Sequence, residues 1–233
     1  MIGAGGSIGG ALVGCLRSHG RFGEVLGFSR SARRSTDLTP NSTSWMDLCI
    51  ETSIEEAASK IASRGRPLRL VINATGFLHG DGYMPEKSIR RIDIAHMQQS
   101  FAVNTIGPAL LAKHLLPLLP AEGKSAFVAL SAKVGSIADN RLGGWYSYRA
   151  SKAALNQIVR TASVELSRRQ RNAVCIALHP GTVKSRLTEP FRKDGLSVCD
   201  PEEAAYRLLS VIDKLTPAHN GCFLDYRGEA IPW

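Results

Sequence analysis

At 233 residues the chain is long enough for one sizeable core and short for two independent enzymes, so a single domain over 1–233 is expected. Its 44% hydrophobic and 21% charged residues are ordinary for a soluble globular protein, and no apolar run reaches the length of a membrane span, which argues against a membrane protein. Five scattered cysteines without CxxC or metal-ligand spacing (Cys15, Cys49, Cys175, Cys199, Cys222) point to reduced thiols in a cytoplasmic protein with no bound metal, and a dispersed net charge of +9 without a binding motif favours an anionic small molecule over nucleic acid.

The opening GAGGSIGGAL is followed by Leu12, Val13 and Leu16 at helical spacing, and Val25 to Phe28 form a short strand-like run. The stretch RSARRSTDLTPNSTS reads as a polar loop, with the next strand around Trp45. IEEAASKIAS reads as a helix ending near Gly65, and LRLVIN, between Pro67 and Gly76, as a strand. SIRRIDIAHMQQSFAVN and the apolar stretch through Leu119 are helical, interrupted at Gly107 and Pro108 and closed by Pro117 and Pro120. SAFVALS is a buried strand, the helix carrying Tyr148 runs to about Arg168, NAVCIALHP is a strand, PEEAAYRLLSVIDKL is a helix with proline in its first turn, and CFLDY is a last strand. Leu187 to Asp200 is irregular and is a candidate flap over a substrate. Strands alternating with helices in this way imply a parallel sheet covered on both faces, and the doubly wound, Rossmann-like α/β fold is the topology expected.

The most informative feature is Tyr148 with Lys152 in WYSYRASKAALNQIV, because four-residue spacing puts a phenol and an ammonium on one helix face. A free tyrosine titrates near pKa ~10, and a cation one turn away pulls it toward working pH, where general acid-base exchange is most efficient. An isolated YxxxK is more often a packed phenol beside a solvated lysine. Here it accompanies a glycine-rich turn that opens a helix, the position where backbone N–H groups cradle a pyrophosphate. Tyr146 is a competing phenol, but Ala150 stands four positions on, so it lacks the cation.

In order the chain supplies GAGGSIGGAL, SRS after an apolar run, MDL, VINATG, AVNTIGP, ALSAKVGS, the tyrosine motif and LHPGTVKS, spanning residues 3 to 185. In these motifs it resembles the short-chain dehydrogenase/reductase superfamily. VGSIADNRLGGWYSYRASKAALN and the ending NGCFLDYRGEAIPW resemble its sniffer-type carbonyl reductases and C-factor-like proteins. The resemblance implies a nicotinamide cofactor on Gly3, Ser7, Ile8 and Gly9 at the pyrophosphate. It places Asp47 and Leu48 beside the adenine, Asn73, Ala74 and Gly76 along the cofactor, and Pro180, Gly181, Val183 and Ser185 at the nicotinamide. Ser7 departs from the family pattern, in which a glycine stands. After the second expected strand the chain carries Ser29, Arg30 and Ser31 where a carboxylate would hold the ribose of NAD, and a guanidinium there pairs with a 2′-phosphate, so NADP(H) is expected.

By resemblance Tyr148 is the proton donor, Lys152 lowers its pKa and holds the nicotinamide ribose, and Asn104 helps to hold a relay water. Read alone, Asn104 is equally a residue satisfying backbone groups at a helix irregularity. Aligning Gly135 with the family glycine places Ala132 at the usual substrate-orienting serine, which leaves Ser131 as the nominee and the hydroxyl itself open to absence. Residues near Phe77, Leu78, Trp145 and Tyr146 read as an apolar pocket for a hydrophobic aldehyde, ketone or quinone. The expected function is NADPH-dependent carbonyl reduction by hydride transfer in a homo-oligomer, dimer or tetramer. The alternative is a cofactor-binding regulatory or signalling protein of the same fold with little turnover, and a nucleic-acid-associated protein ranks far behind. One element is short. The glycine motif begins at Gly3, whereas the first strand of such a fold lies directly before it at the centre of the sheet, and two residues fall below the usual strand of about five to six. A truncated first strand, a gap in the core, and either weak NADPH binding or poor solubility are therefore expected of an N-terminally shortened sequence.

Overall fold

The structure is a computed structural model and describes residues 1–34, 38, 42–80, 82–191 and 198–233. Among the described residues six strands are seen: β1 (Gly27–Ser29), β2 (Thr43–Trp45), β3 (Leu70–Asn73), β4 (Ser125–Leu130), β5 (Ala173–His179) and β6 (Phe223–Asp225). They pair in parallel: β1 with β2, and β3, β4, β5 and β6 in succession. The helices are α1 (Ser7–Ser18), α2 (Glu51–Ala62), α3 (Ile94–Phe101), α4 (Gly107–Leu115), α5 (Tyr146–Arg169) and α6 (Pro201–Lys214). This is the doubly wound arrangement expected from the alternation of strand and helix.

Successive strand residues face opposite sides, so a strand covered on both faces is buried throughout, as β4 is, with apolar side chains from Ala126 to Leu130. Ile72, Val128 and Ile176 meet Leu12 and Leu16 of α1 and Leu208 and Ile212 of α6 on one face. Their neighbours Val71, Phe127 and Cys175 meet Ile54 of α2, Leu111 of α4, and Leu155 and Val159 of α5 on the other. The long helical region is continuous where an interruption at Gly107 and Pro108 was expected. Pro108 has no N–H to donate to the carbonyl of Asn104, four residues earlier, and the helix widens into a π turn over Ala102–Ile106 before α4 continues.

The chain start closes the sheet with very little backbone. Ile2 bridges both Phe28 of β1 and Asn73 of β3. Phe28 N donates to Met1 O at 2.8 Å, Ile2 N to Ile72 O at 2.8 Å, and Ala74 N to Ile2 O at 2.9 Å. Met1 and Ile2 thus stand where the first strand is expected, joining the two-stranded and four-stranded parts. Beside them is a cavity of about 320 Å³ between Val25–Leu26 and Leu68–Leu70. The α-ammonium of Met1 donates to Leu26 O at 2.8 Å, and burial pulls its pKa down to about 5.

Candidate active site

In a parallel sheet all strands end on one edge, and the loops leaving those ends form the crevice where ligands of such folds bind. The expected site residues lie along that edge. The glycine turn comes first. Gly3 has φ of +85°, and α1 starts at Ser7 with Gly6 as its N-cap and no side-chain cap, so the first amides of the helix are open to an anion. Gly9 makes the turn possible, because a Cβ there would fall 2.0 Å from the Gly3 carbonyl oxygen. Ser7 is the first helical residue with its side chain exposed, so the departure from glycine at that position requires no unusual backbone. Ile8 follows, partly buried against the α1 and α6 layer.

The glycine turn leans on the end of β1, where a Cβ on Gly5 would come within 2.6 Å of Ser29 Oγ. Ser29 and Ser31 share a hydrogen bond of 2.9 Å, and Arg30 between them is exposed. Arg34 is occupied by the ring of Trp45, 4.0 Å from its centroid. After β2, Asp47 accepts from Cys49 N at 2.9 Å and from Ser53 Oγ at its main-chain oxygen at 2.8 Å, while Leu48 is buried. At the end of β3, Asn73 Oδ1 accepts from Thr75 Oγ1 at 2.7 Å, and its Nδ2 is buried without a partner among the described residues. Ala74 is held by Ile2, and Gly76 is exposed.

Gly76 also marks where the chemistry converges. A Cβ there would lie 3.8 Å from Asn104 Oδ1 and 3.9 Å from both Lys152 Nζ and Leu187 Cδ1. The Asn104 carboxamide accepts from Phe77 N at 2.8 Å and donates to Phe77 O at 2.7 Å and Ser151 Oγ at 3.0 Å. Its side chain therefore ties the loop after β3 to α5, which is the backbone-satisfying role at a helix irregularity. Past β5, Gly181 has φ of +78° with its Cβ position 3.0 Å from the Tyr226 ring, Val183 is buried, and Ser185 pairs with Thr188 at 3.1 Å. Pro180 leads this turn, and His179 before it is held neutral, its pKa drawn down to about 4 by burial.

Tyr148 and Lys152 are both buried in the first turns of α5. Lys152 Nζ donates to Leu130 O at 3.0 Å and lies 5.8 Å from the centroid of the Tyr148 ring. Tight packing fixes it, since a Cβ on Gly135 would fall 2.8 Å from Lys152 Cβ. The expectation that the lysine lowers the phenol's pKa needs correction for this structure. Burial pushes Tyr148 well above the ordinary tyrosine value and pulls Lys152 down to about 8, because both charged forms lose solvation.

The nomination of Ser131 also needs correction. Its hydroxyl donates to Asn156 Oδ1 at 2.7 Å between β4 and α5, fully buried, so it is spent on packing the helix and does not face the crevice. Ser136 is likewise buried and accepts from Asp139 N at 3.1 Å, leaving half-buried Ala132 at the family's serine position.

Of the residues expected to line an apolar pocket, Trp145 joins an aromatic wall, 5.0 Å from Phe191 and 6.2 Å from Tyr148, with Phe191 5.5 Å from His79, whereas Phe77 packs its ring on His96 and Leu78 is buried. His79 Nε2 reaches Leu187 O at 3.2 Å. Of the expected flap, residues 187–191 form part of this wall, while 192–197 lie outside the described residues. Sequence reasoning missed Glu86, whose buried carboxylate meets Ser147 at the start of α5. The only local signal is an acidic residue after Pro85 in a loop, and a contact 61 residues away leaves no spacing to read.

A helix opening on a glycine turn, a buried tyrosine and lysine one turn apart, and loops converging on one sheet edge are together the marks of an oxidoreductase. A family model described as Enoyl-(Acyl carrier protein) reductase matches residues 3–206, and the chain belongs to the short-chain dehydrogenase/reductase family. It is 32% identical to 1-hydroxy-2-glutathionyl-2-methyl-3-butene dehydrogenase of Rhodococcus sp. over 188 residues, 81% of this chain and 78% of that one. It is 36% identical to C-signal of Myxococcus xanthus over 142 residues, 61% of this chain and 81% of that one. Among solved structures, an NADPH-bound carbonyl reductase from chicken fatty liver superposes with a TM-score of 0.83 at 26% identity, covering 100% of this chain and 97% of the other. The carbonyl reductase Sniffer of D. melanogaster shares the fold, with a TM-score of 0.82 at 23% identity over the same shares. Among the described residues no helix is long and apolar enough to cross a membrane.

Proposed function

We propose that the protein is an NADPH-dependent carbonyl reductase acting on a hydrophobic aldehyde, ketone or quinone. The observation that carries the reading is the convergence of Tyr148, Lys152, Asn104 and Gly76 beside an apolar wall of Trp145, Phe191 and Leu187. The residues present fit a dinucleotide: the open start of α1 takes the pyrophosphate, and the buried, unpartnered Asn73 Nδ2 is a spare donor on the same edge. Exposed Arg30 after β1 favours NADP, as does the NADPH-bound chicken relative. When bound, the cofactor supplies the hydride. Tyr148 remains protonated at neutral pH because burial disfavours its phenolate, which suits a donor of the proton that an alkoxide takes up. Lys152 is largely charged below pH 8 and places positive charge beside that developing anion.

A second reading, a cofactor-binding regulatory protein with little turnover, is favoured by the spent hydroxyl of Ser131 beside Ala132 and by the likeness to C-signal. An NADPH-binding titration joined to an NADPH-oxidation screen over aldehydes, ketones and quinones separates the two. Reduction that is lost in Tyr148→Phe and kept in Tyr146→Phe is expected, with weaker NADPH binding and nearly unchanged NADH binding in Arg30→Asp. Tight binding without turnover would favour the regulatory reading, and an unchanged NADPH preference in Arg30→Asp would remove Arg30 as the determinant.

A further inference from the structure

The helix that carries Tyr148 begins abruptly, and its start is held by a loop more than fifty residues earlier in the chain. Trp145, the N-cap of α5, has φ of +54°, the one non-glycine residue with a left-handed backbone among the described residues. Such a conformation persists only where surrounding contacts hold it. Here the holder is Glu86. Its main-chain oxygen accepts from Trp145 N at 2.5 Å, and its carboxylate accepts from Ser147 N at 3.2 Å and from Ser147 Oγ. An anion at a helix N-terminus is also favoured by the helix dipole.

Glu86 is 3% exposed, so the partners of its carboxylate matter. The same oxygen that accepts from the Ser147 hydroxyl lies 3.5 Å from His96 Nδ1. The His96 ring is clamped by Tyr83, stacked at 5.1 Å, and by the edge of Phe77 at 5.9 Å. Phe77 is the residue whose backbone N–H and carbonyl are both taken by Asn104, which also reaches Ser151 on α5. Ser151 Oγ in turn donates to Tyr148 O at 2.9 Å. The turn carrying Tyr148 is thus gripped from two sides, by Glu86 through Ser147 and by Asn104 through Ser151.

We propose that Glu86 is a positioning residue for the reduction: by holding Trp145 and Ser147 it sets the angle at which α5 presents the Tyr148 hydroxyl to the substrate carbonyl. The inference rests on the reading of Tyr148 as proton donor. A misplacement of about 1 Å at a reacting group costs on the order of 10² in rate, so loosening this grip should lower kcat well before it weakens cofactor binding. Glu86→Gln is isosteric and replaces the carboxylate by an amide with one acceptor oxygen and two donors. It should lower kcat by about 10- to 100-fold with NADPH Kd within about twofold of wild type. Ser147→Ala keeps the carboxylate on the backbone N–H and should lose less, and adding it to Glu86→Gln should cost little more, because both act on one contact.

Amide hydrogen exchange gives a readout that needs no turnover: residues 146–152 should exchange faster in Glu86→Gln, with α6 unchanged. Unchanged exchange at the start of α5, or a folded Glu86→Gln with wild-type kcat, would overturn the proposal and leave Glu86 a structural cap only. Tyr148→Phe run in parallel keeps the two readings apart. Its retaining full turnover would remove the acid assignment and with it the catalytic part of this role, while the exchange result would still report the grip itself.

Discussion

Lys152 illustrates how far one side chain's chemistry depends on where the fold buries it. The spacing to Tyr148 is local and correctly places both on one face of α5, but the pKa of each is governed by lost solvation. The consequence for stability has a definite sign. An unfolded lysine titrates at 10.5 and the folded one at about 8, so between those values the unfolded chain carries a proton that the folded chain lacks. The cost of burying the ammonium is therefore fully present below about pH 8 and disappears as pH rises toward 10.5, a term of roughly 3 kcal/mol by linkage. Unfolding measured from pH 7 to 10 for wild type and Lys152→Met should show the wild type gaining on the variant as pH rises. Parallel pH dependences would mean that the ammonium is solvated in the folded protein.

Among the elements, α1 and the turn before it have the least freedom. Gly9 faces the Gly3 carbonyl so closely that an added methyl would displace backbone, not a pliable side chain. Gly9→Ala should shift the start of α1 and weaken NADPH at least tenfold, about 1.4 kcal/mol, while leaving the remote α5 and β5 packing in place. Calorimetric titration checks this, and wild-type affinity in a folded Gly9→Ala protein would show that the pyrophosphate is held elsewhere. The π turn at Ala102–Ile106 is a different kind of constraint. It widens the helix where Asn104 must reach both Phe77 and Ser151, so a backbone irregularity caused by Pro108 positions the side chain that braces the site.

On the scale of the whole molecule, the sheet's two parts meet through Met1 and Ile2, beside a cavity of about 320 Å³. Ile2 is 4% exposed and packs with Phe28 and Val71 in the core that also includes α2 and α4. The strand pairing across this seam runs through Ile2, so that residue should weigh heavily. Ile2→Ala should lower stability by about 2 to 4 kcal/mol and broaden or split the unfolding transition as the β1–β2 part loosens from the rest. Chemical denaturation followed at Trp45, in β2, and separately by far-ultraviolet circular dichroism would detect it. A single transition at the wild-type midpoint would show that the helices alone hold the two parts together.

The alternation of strands and helices, the glycine turn before α1, and the pairing of Tyr148 with Lys152 were legible along the chain. Each of these is written in residues a few positions apart, within reach of one turn, one strand or one helix face. Nothing in those local patterns shows that Ile2 bridges both Phe28 and Asn73. Long-range packing sets the rest: Ser131 spends its hydroxyl on Asn156, Asn104 braces Phe77, and Glu86 holds the start of α5. Those outcomes depend on which groups packing brings together across 25 to 61 residues of chain. A buried polar group must find its partner wherever the fold supplies one, and neither propensity nor spacing records that choice.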